Sequence, residues 1–199
     1  MTNRQLAAAE TRKRLVEAAK AIICDKGLSN TSIEEITEAS GVSKGTFYTY
    51  FKRKEDIVFE LSGGMFDEIL VQSKALEGSI LQKLEAYMVR FARYIEKGSV
   101  KLAQEWIKNV VDPGITDIGV NKLAKDLSAV EELLSLGVAS GELKANAPIQ
   151  QLSGTITDLL YGQMACWAIS GGSYSYEERT RAFCETHLEN LLKQYLERV

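Results

Sequence analysis

The segment TSIEEITEASGVSKGTFYTYFKRKED, residues 31–56, contains two short helical patterns separated by a glycine turn. Thr31 followed three residues later by Glu34 predicts a capping box at the start of the first helix. Gly41 can adopt the positive φ of a tight turn, and Ser43 can cap the helix that follows it. Two short helices joined by such a turn form a helix-turn-helix, whose second helix can enter the major groove of DNA.

The second helix, KGTFYTYF, carries residue types that suit contact with DNA. Hydroxyl and ammonium groups can donate to phosphates and base edges, and a glycine lets the backbone approach closely. A cluster of helices with merely solvated lysines and tyrosines would show the same pattern, so the turn alone does not decide between the two interpretations. The residue types give these candidates for DNA contact: Lys44, Gly45, Thr46, Tyr48, Tyr50 and Lys54.

The charge distribution points weakly the same way. Residues 1–55 hold ten Lys and Arg against seven Asp and Glu, whereas the rest of the 199-residue chain holds fourteen against twenty. A mildly basic head joined to an acidic body suggests an end that faces nucleic acid. The chain has no apolar run near the roughly 20 residues of a membrane span and no signal-peptide pattern, so we expect a cytoplasmic protein that does not bind membranes.

Cysteine and histidine usage argues against metal and catalytic chemistry. Cys24, Cys166 and Cys184 are odd in number and far apart, so we expect reduced, mostly buried thiols. His187, the single histidine, leaves no two-histidine metal site, and we place it on a helix surface. Since no phosphate-binding loop or Gly-x-Ser-x-Gly elbow occurs, we expect no enzyme, metal or cofactor. A helical protein-interaction adaptor and an enzyme that uses carboxylates alone stay open as alternatives.

The remaining sequence shows helical periodicity throughout and no strand alternation, which predicts an all-α fold of about nine helices. Gly63-Gly64 interrupts one helical pattern and DPG at 112–114 ends another. Two long helices close the chain. The first should run from Pro148 to about residue 169 with Asn146 as its cap, and the second from Ser175 to about residue 197, with Glu178 completing a capping box.

GVSKGTFYTYFKRKEDI, residues 41–57, resembles the signature of the TetR family of bacterial transcriptional regulators, Gly-Val-Ser-x-Gly-x-x-Tyr-x-[His/Tyr]-Phe-x-x-Lys-x-x-[Leu/Ile]. The resemblance covers roughly residues 9–56; beyond them it is architectural only. It implies a helix-turn-helix domain over residues 1–56 and an effector-binding and dimerisation domain over residues 57–199. It also implies a homodimeric repressor that binds a palindromic double-stranded DNA operator and is released by a small-molecule effector.

The resemblance also assigns roles along the second helix of the motif. Lys44, Gly45 and Thr46 would lie at the floor of the groove. Thr49 would lie on the exposed face of the same helix. The residues that would hold phosphates are Ser43, Tyr48, Tyr50 and Lys54. Tyr50 stands where the family often has His, and Thr37 and Ser40 stand where it often has Ala.

The resemblance further implies that the last two helices pair with those of a second subunit, although their periodicity would fit intrachain core equally well. The candidate interface residues are Leu152, Ile156, Leu159, Leu160, Trp167, Phe183, Leu188, Leu191, Leu192 and Tyr195. An effector pocket would lie among the middle helices, where each residue has the alternative of being core or solvated surface. The candidate lining residues are Phe66, Tyr87, Phe91, Gln104, Trp106, Asn109, Asp158, Tyr161 and Gln163.

Gly63-Gly64 suggests a hinge between the head and the pocket, because glycine weakens a helix by about 1 kcal/mol relative to alanine. The alternative is that the pair marks a helix end or a packing contact.

Overall fold

The computed structural model describes residues 2–60, 63–111 and 116–197, which are helical apart from turns and one isolated bridge between Leu143 and Leu196. The all-α prediction is confirmed. The helices are α1 Asn3–Lys26, α2 Ile33–Ser40, α3 Lys44–Tyr50, α4 Glu55–Glu60, α5 Gly63–Lys74, α6 Ile80–Lys97, α7 Val100–Val110, α8 Thr116–Ala139, α9 Ile149–Ile169, α10 Tyr176–Phe183 and α11 Glu189–Leu192. A π turn, Cys184–Leu188, joins α10 to α11 without a break, so the described residues form ten continuous helices, close to the nine expected.

Helices α1 to α4 form a head with its own apolar core. Helices α1, α2 and α3 each turn an apolar face toward this core, and the chain after α3 contributes two more apolar side chains. The buried residues are Leu15, Ala19, Ile23, Leu28, Ile36, Phe47, Phe51 and Ile57. Burying this many large apolar side chains supplies the main stabilisation of such a small unit.

The turn of the helix-turn-helix forms as the sequence predicts. Gly41 ends α2 at φ +68°, a left-handed conformation that favours glycine. Ser43 then caps α3, because its hydroxyl accepts a hydrogen bond of 3.1 Å from the backbone N–H of Thr46. Together these two residues fix the direction in which α3 leaves the turn.

The cap of α2 lies one residue later than predicted. Ser32, not Thr31, accepts from the backbone N–H of Glu35, and the Glu35 carboxylate accepts from the N–H of Ser32 at 2.8 Å. Thr31 is buried and donates its hydroxyl to the Gly27 carbonyl at 2.8 Å. The prediction of a Thr31–Glu34 box was wrong because TSIEE contains two overlapping boxes that spacing alone cannot separate.

Helices α5, α6, α8, α9 and the C-terminal helix enclose the larger core of the body. Helices α6 and α8 approach each other closely, since a Cβ on Gly137 would lie 2.7 Å from Ile80. Tyr176 starts α10 fully buried and donates its hydroxyl to the Leu160 carbonyl at 2.7 Å, which fixes α10 against α9. The body is therefore a separate apolar unit that carries the head on α1, α4 and α7.

The ends of the last two helices differ in part from the prediction. Helix α9 begins at Ile149 after Pro148 with no side-chain cap, so the assignment of Asn146 as cap was wrong. Ser175 does cap α10, accepting from the N–H of Glu178 at 3.1 Å. The C-terminal helix continues through the π turn and ends at Leu192, earlier than the periodicity indicated.

Other predicted features have mixed outcomes. Cys184 is buried and its pKa is raised to about 12, chiefly by burial, but Cys166 is exposed, contrary to the expectation of mostly buried thiols.

Helix α4 ends at Glu60 and α5 begins at Gly63, so the glycine pair stands at a helix start. The DPG stop at 112–114 lies outside the described residues. Within the described ranges, no helix combines the length and apolarity that a bilayer span requires.

Candidate functional site

Helix α3 presents its polar side to solvent. Phe47 is its one fully buried side chain and anchors the helix in the head core. The predicted contact residues lie on the outer side, with Thr46 and Tyr50 half-buried and the following residues exposed: Ser43, Lys44, Gly45, Tyr48 and Thr49. The helix is thus held by one face and offers the other to a partner.

The positive charge of Lys44 on this face is paired with a carboxylate that is itself exposed to solvent. The Lys44 ammonium forms an ion pair with the Glu34 carboxylate of α2, and this hydrogen bond raises the pKa of Lys44. Both side chains are more than half exposed, so the pair contributes little to stability. Lys44 can therefore exchange Glu34 for a phosphate or a base edge at small cost.

Gly45 has no structural reason to be a glycine within this chain. A Cβ there would meet its nearest atom, the Ser43 hydroxyl oxygen, at an ordinary 3.7 Å, and the backbone is helical. Glycine inside a helix costs about 0.5–1 kcal/mol relative to alanine. The glycine leaves the backbone of α3 exposed to solvent at this position.

Tyr48 is exposed and held in place. Its ring packs edge-on against Phe47 with centroids 5.5 Å apart, while 51% of the residue stays accessible. Tyr50, in contrast, packs partly against the head core. Of the two tyrosines, Tyr48 has the geometry of a pre-positioned hydrogen-bond donor.

Lys54 has a structural role. Its ammonium donates to the carbonyl oxygens of Leu28 at 2.9 Å and Thr31 at 3.0 Å, so it holds the loop before α2. An ammonium has three donors, so the phosphate contact of Lys54 stays a prediction. Lys52, which sequence reasoning overlooked, is exposed and makes no ion pair among the described residues, so it offers a cation at the end of α3.

A cavity of about 60 Å³ lies where α1 meets the body helices α5 to α9. Four of the nine predicted effector residues line it: Phe66, Phe91, Trp106 and Tyr161. Tyr87 is buried behind them, with its ring centroid 6.2 Å from that of Phe91. The lining residues that were not predicted are Lys20, Tyr94, Ile95, Gly98, Leu102, Ala103, Lys122 and Met164.

The polar residues predicted for the pocket do not line it. The Gln104 amide donates to the Ala168 carbonyl at 2.7 Å, and Gln163 accepts from the Thr180 hydroxyl at 2.8 Å. Asn109 donates to the carbonyl of the preceding turn of α7, and Asp158 is exposed on α9. Periodicity marks a buried face but cannot tell which polar residue turns toward a cavity, so these four assignments were wrong.

Lys122, which lines the cavity, forms an ion pair with another residue of α8. The Lys122 ammonium contacts the Asp126 carboxylate and lies 4.0 Å from the centroid of the Phe66 ring. The Tyr161 hydroxyl donates to the same Asp126 oxygen at 2.6 Å. Burial lowers the pKa of Lys122, while burial and the Asp126 charge raise the pKa of Tyr161. The i, i+4 spacing of Lys122 and Asp126 was a visible signal of this pair.

Trp106 connects the cavity to the head. Its ring lines the cavity beside Tyr161, with centroids 5.5 Å apart, and it also packs against the head core. Further contacts tie α1 to the same region, since the Cys24 thiol donates to the Gly98 carbonyl at 2.9 Å and Lys101 donates to the Asp25 carbonyl. These contacts connect the walls of the cavity to α1.

The predicted dimer residues divide between core and surface. Six of them are buried within the single chain and are unavailable to a partner: Leu152, Ile156, Leu160, Trp167, Leu188 and Leu192. The remaining four, Leu159, Phe183, Leu191 and Tyr195, are half-buried and pack against the body core. The periodicity therefore marked the inner face of these helices, and the interface assignment of the six was wrong.

The outer face of α9 is a separate stripe at three- and four-residue spacing. Its exposed members are Thr155, Asp158, Gly162, Cys166 and Ile169. Ile169 is 85% exposed, and a Cβ on Gly162 would meet nothing within 4 Å. The stripe is small, partly apolar and open.

Comparison with known proteins places these features in context. Residues 15–61 match the family model described as "Bacterial regulatory proteins, tetR family". The chain is 23% identical over 180 residues to the fatty acid metabolism regulator protein of Bacillus subtilis (strain 168), covering 81% of this chain and 85% of that protein. It is 24% identical over 175 residues to the transcriptional repressor KstR2 of Mycolicibacterium smegmatis, with 85% of each chain covered.

Solved structures show the same fold. The regulator FadR from Bacillus subtilis in complex with stearoyl-CoA superposes with a TM-score of 0.68 at 21% identity, covering 90% of this chain and 97% of FadR. The ketosteroid regulator KstR2 of Mycobacterium tuberculosis gives a TM-score of 0.55 at 19% identity, covering 100% of this chain and 98% of the other. At these sequence identities, the similarity to the two solved structures shows a shared fold.

Proposed function

Because the chain belongs to the TetR family of bacterial regulatory proteins, we propose that it is a repressor that binds a double-stranded DNA operator as a homodimer and is released by a small-molecule effector. The proposal depends on the exposed face of helix α3. This helix exposes Lys44, Tyr48 and a glycine that the fold does not require, while Phe47 fixes the helix in the head. Phosphate contacts would set its register and base contacts its specificity.

Residues 1–56 would form the DNA-binding domain and residues 57–199 the effector and dimer domain. Two separate apolar clusters support a division into two units, with Ile57 of α4 packing on the head side of the boundary and α7 contacting the head core through Leu102 and Trp106. The relatives compared above are regulators, which favours this function over an enzyme or a helical adaptor. One of them is a structure with stearoyl-CoA bound, and a small-molecule effector for this chain fits that precedent.

The outer stripe of α9 supports a two-fold dimer. A C2 interface uses the same patch on both subunits, and a small residue at its centre allows close approach. Gly162 is at the middle of the stripe and Ile169 supplies exposed apolar surface. We assign the interface to this stripe in place of the buried residues named from periodicity.

The regulator function predicts salt-sensitive binding to DNA from the region upstream of the protein's own gene. Fluorescence anisotropy at increasing salt should show the affinity falling about a thousandfold or more between about 50 and 200 mM, because phosphate contacts release counterions. Tyr48→Ala should weaken binding at every salt concentration. Wild-type protein that shows no binding at low salt would favour the adaptor or the enzyme.

The dimer assignment predicts that Gly162→Arg yields a folded monomer. The protomer has open space at Gly162, whereas a partner helix there would collide with the new side chain. Light scattering after size exclusion should report half the wild-type mass, and operator affinity should fall with it. The control Ser128→Arg, on the exposed side of α8, should stay dimeric. A Gly162→Arg variant that remains a dimer would refute the assignment.

A further inference from the structure

The cavity between α1 and the body offers cations and hydrogen-bond donors but no carboxylate among its described lining residues. We infer that its ligand is a compact apolar carboxylate, with the head group held by Lys20 and Lys122 and the body enclosed by aromatic rings. This deepens the effector site of the proposed function and rests on it. The charges and hydrogen-bond donors of the cavity walls determine which class of ligand they can bind.

One buried donor of a lining residue has no partner. The Trp106 indole N–H is buried and finds no hydrogen-bond partner within the described chain. An indole N–H can only donate, so its partner must be an acceptor. Buried polar groups without partners are rare in native proteins, and at a cavity wall they indicate a ligand or water that completes them.

The two cations come from different parts of the molecule. Lys20 is on α1 of the head, 5.8 Å from the centroid of the Tyr94 ring, and forms no ion pair among the described residues. Lys122 is on α8 of the body and is partnered by Asp126. An ammonium has three donors, so Lys122 retains donors that Asp126 does not use. Because Lys20 belongs to the head and Lys122 to the body, an anion bound between the two ammonium groups would contact both the head and the body.

Among its described residues, the cavity wall offers no carboxylate to a cation. Asp126 does not line the cavity, and its Oδ2 already receives the Lys122 ammonium and the Tyr161 hydroxyl. A cation would also face Lys20 with no compensating carboxylate on the wall. These contacts favour an anionic ligand over a cationic one.

The cavity shape favours a compact body. Its volume of about 60 Å³ is far below the roughly 300–1,000 Å³ of pockets that hold drug-sized ligands. Five aromatic residues line it: Phe66, Phe91, Tyr94, Trp106 and Tyr161. A cavity that binds benzene measures about 150 Å³, so even a single ring bearing a carboxylate requires this cavity to widen on binding, and benzoate is the compact probe we choose.

The experiment is calorimetric titration of the purified full-length protein with benzoate, benzamide and benzylammonium at millimolar concentration. These probes share a ring and differ in charge. We expect benzoate to bind at least about tenfold more tightly than either of the others, since hydrogen bonds to charged groups are the stronger ones. Equal binding of benzamide or benzylammonium, or no binding of benzoate, would overturn the inference.

Variants locate the head group. Lys20→Met should weaken benzoate about tenfold, whereas Lys13→Met, which makes the same change on the exposed face of α1, should not. Lys122→Met/Asp126→Asn removes the body cation without leaving an unpaired carboxylate and should weaken benzoate similarly. Unchanged benzoate affinity in Lys20→Met or in the double variant would overturn the inference. Because the titration contains no DNA, failure here leaves operator binding as a separate result.

Discussion

Replacing Gly45 with alanine should lower operator affinity at least about tenfold while leaving the protein as stable as wild type or slightly more stable. The added methyl group has room within the chain, and alanine favours a helix by about 0.5–1 kcal/mol over glycine. The same methyl group would stand between the α3 backbone and the groove floor. With the same preparation, anisotropy titrations should show weaker operator binding, while urea unfolding should show an equal or higher free energy of unfolding.

Gly41→Ala is the matched control for this result. Gly41 has open space around it but a φ of +68°, so the same added methyl group should cost about 1–2 kcal/mol of stability through backbone strain. One glycine is thus required by the fold and the other by the partner. If Gly45→Ala binds the operator as tightly as wild type, α3 does not approach DNA by its N-terminal turn.

The substitution with the largest expected effect on stability is Asp126→Asn. It leaves the Lys122 ammonium buried without its carboxylate, and breaking a buried pair in this way costs about 3–5 kcal/mol. Both side chains are nearly enclosed, at 12% and 5% exposure, so solvent screens little of this loss. Urea unfolding should show it, and Lys122→Met/Asp126→Leu should recover most of it.

The loss in Asp126→Asn should depend on pH. Burial already lowers the pKa of Lys122 in the folded protein below its ordinary value of 10.5, and removing Asp126 withdraws the interaction that opposes this lowering. The unfolded chain then binds more protons than the folded one, so the free energy of unfolding of the variant should rise as pH increases from neutral toward 10.5. A deficit that stays constant over this range would contradict a buried, uncompensated Lys122.

The head was largely predictable because its signals are local. Gly41 marks a left-handed turn and Ser43 a cap, each through its own backbone chemistry. The exceptions are also instructive. Sequence could not show that Lys54 folds back onto the Leu28 and Thr31 carbonyls, nor choose between two overlapping caps at α2.

The body was predictable in class but not in detail. Helical spacing identified the buried faces of α9 and of the C-terminal helix, yet the same spacing fits a dimer seam, so the prediction assigned core residues such as Ile156 and Leu192 to an interface. The aromatic wall of the cavity was found in part, but its cations were missed. Lys20 and Lys122 lie about a hundred residues apart in sequence and meet one cavity only through the tertiary fold.

The most direct test is selection of DNA ligands from a random duplex pool by the wild-type protein, followed by sequencing. A dimer that presents two copies of α3 outward should enrich an inverted repeat whose half-sites are separated by about one helical turn of about 10 base pairs or a multiple of it. Tyr48→Ala should enrich the same repeat less efficiently. Absence of enrichment, or enrichment of a single site without two-fold symmetry, would contradict the account.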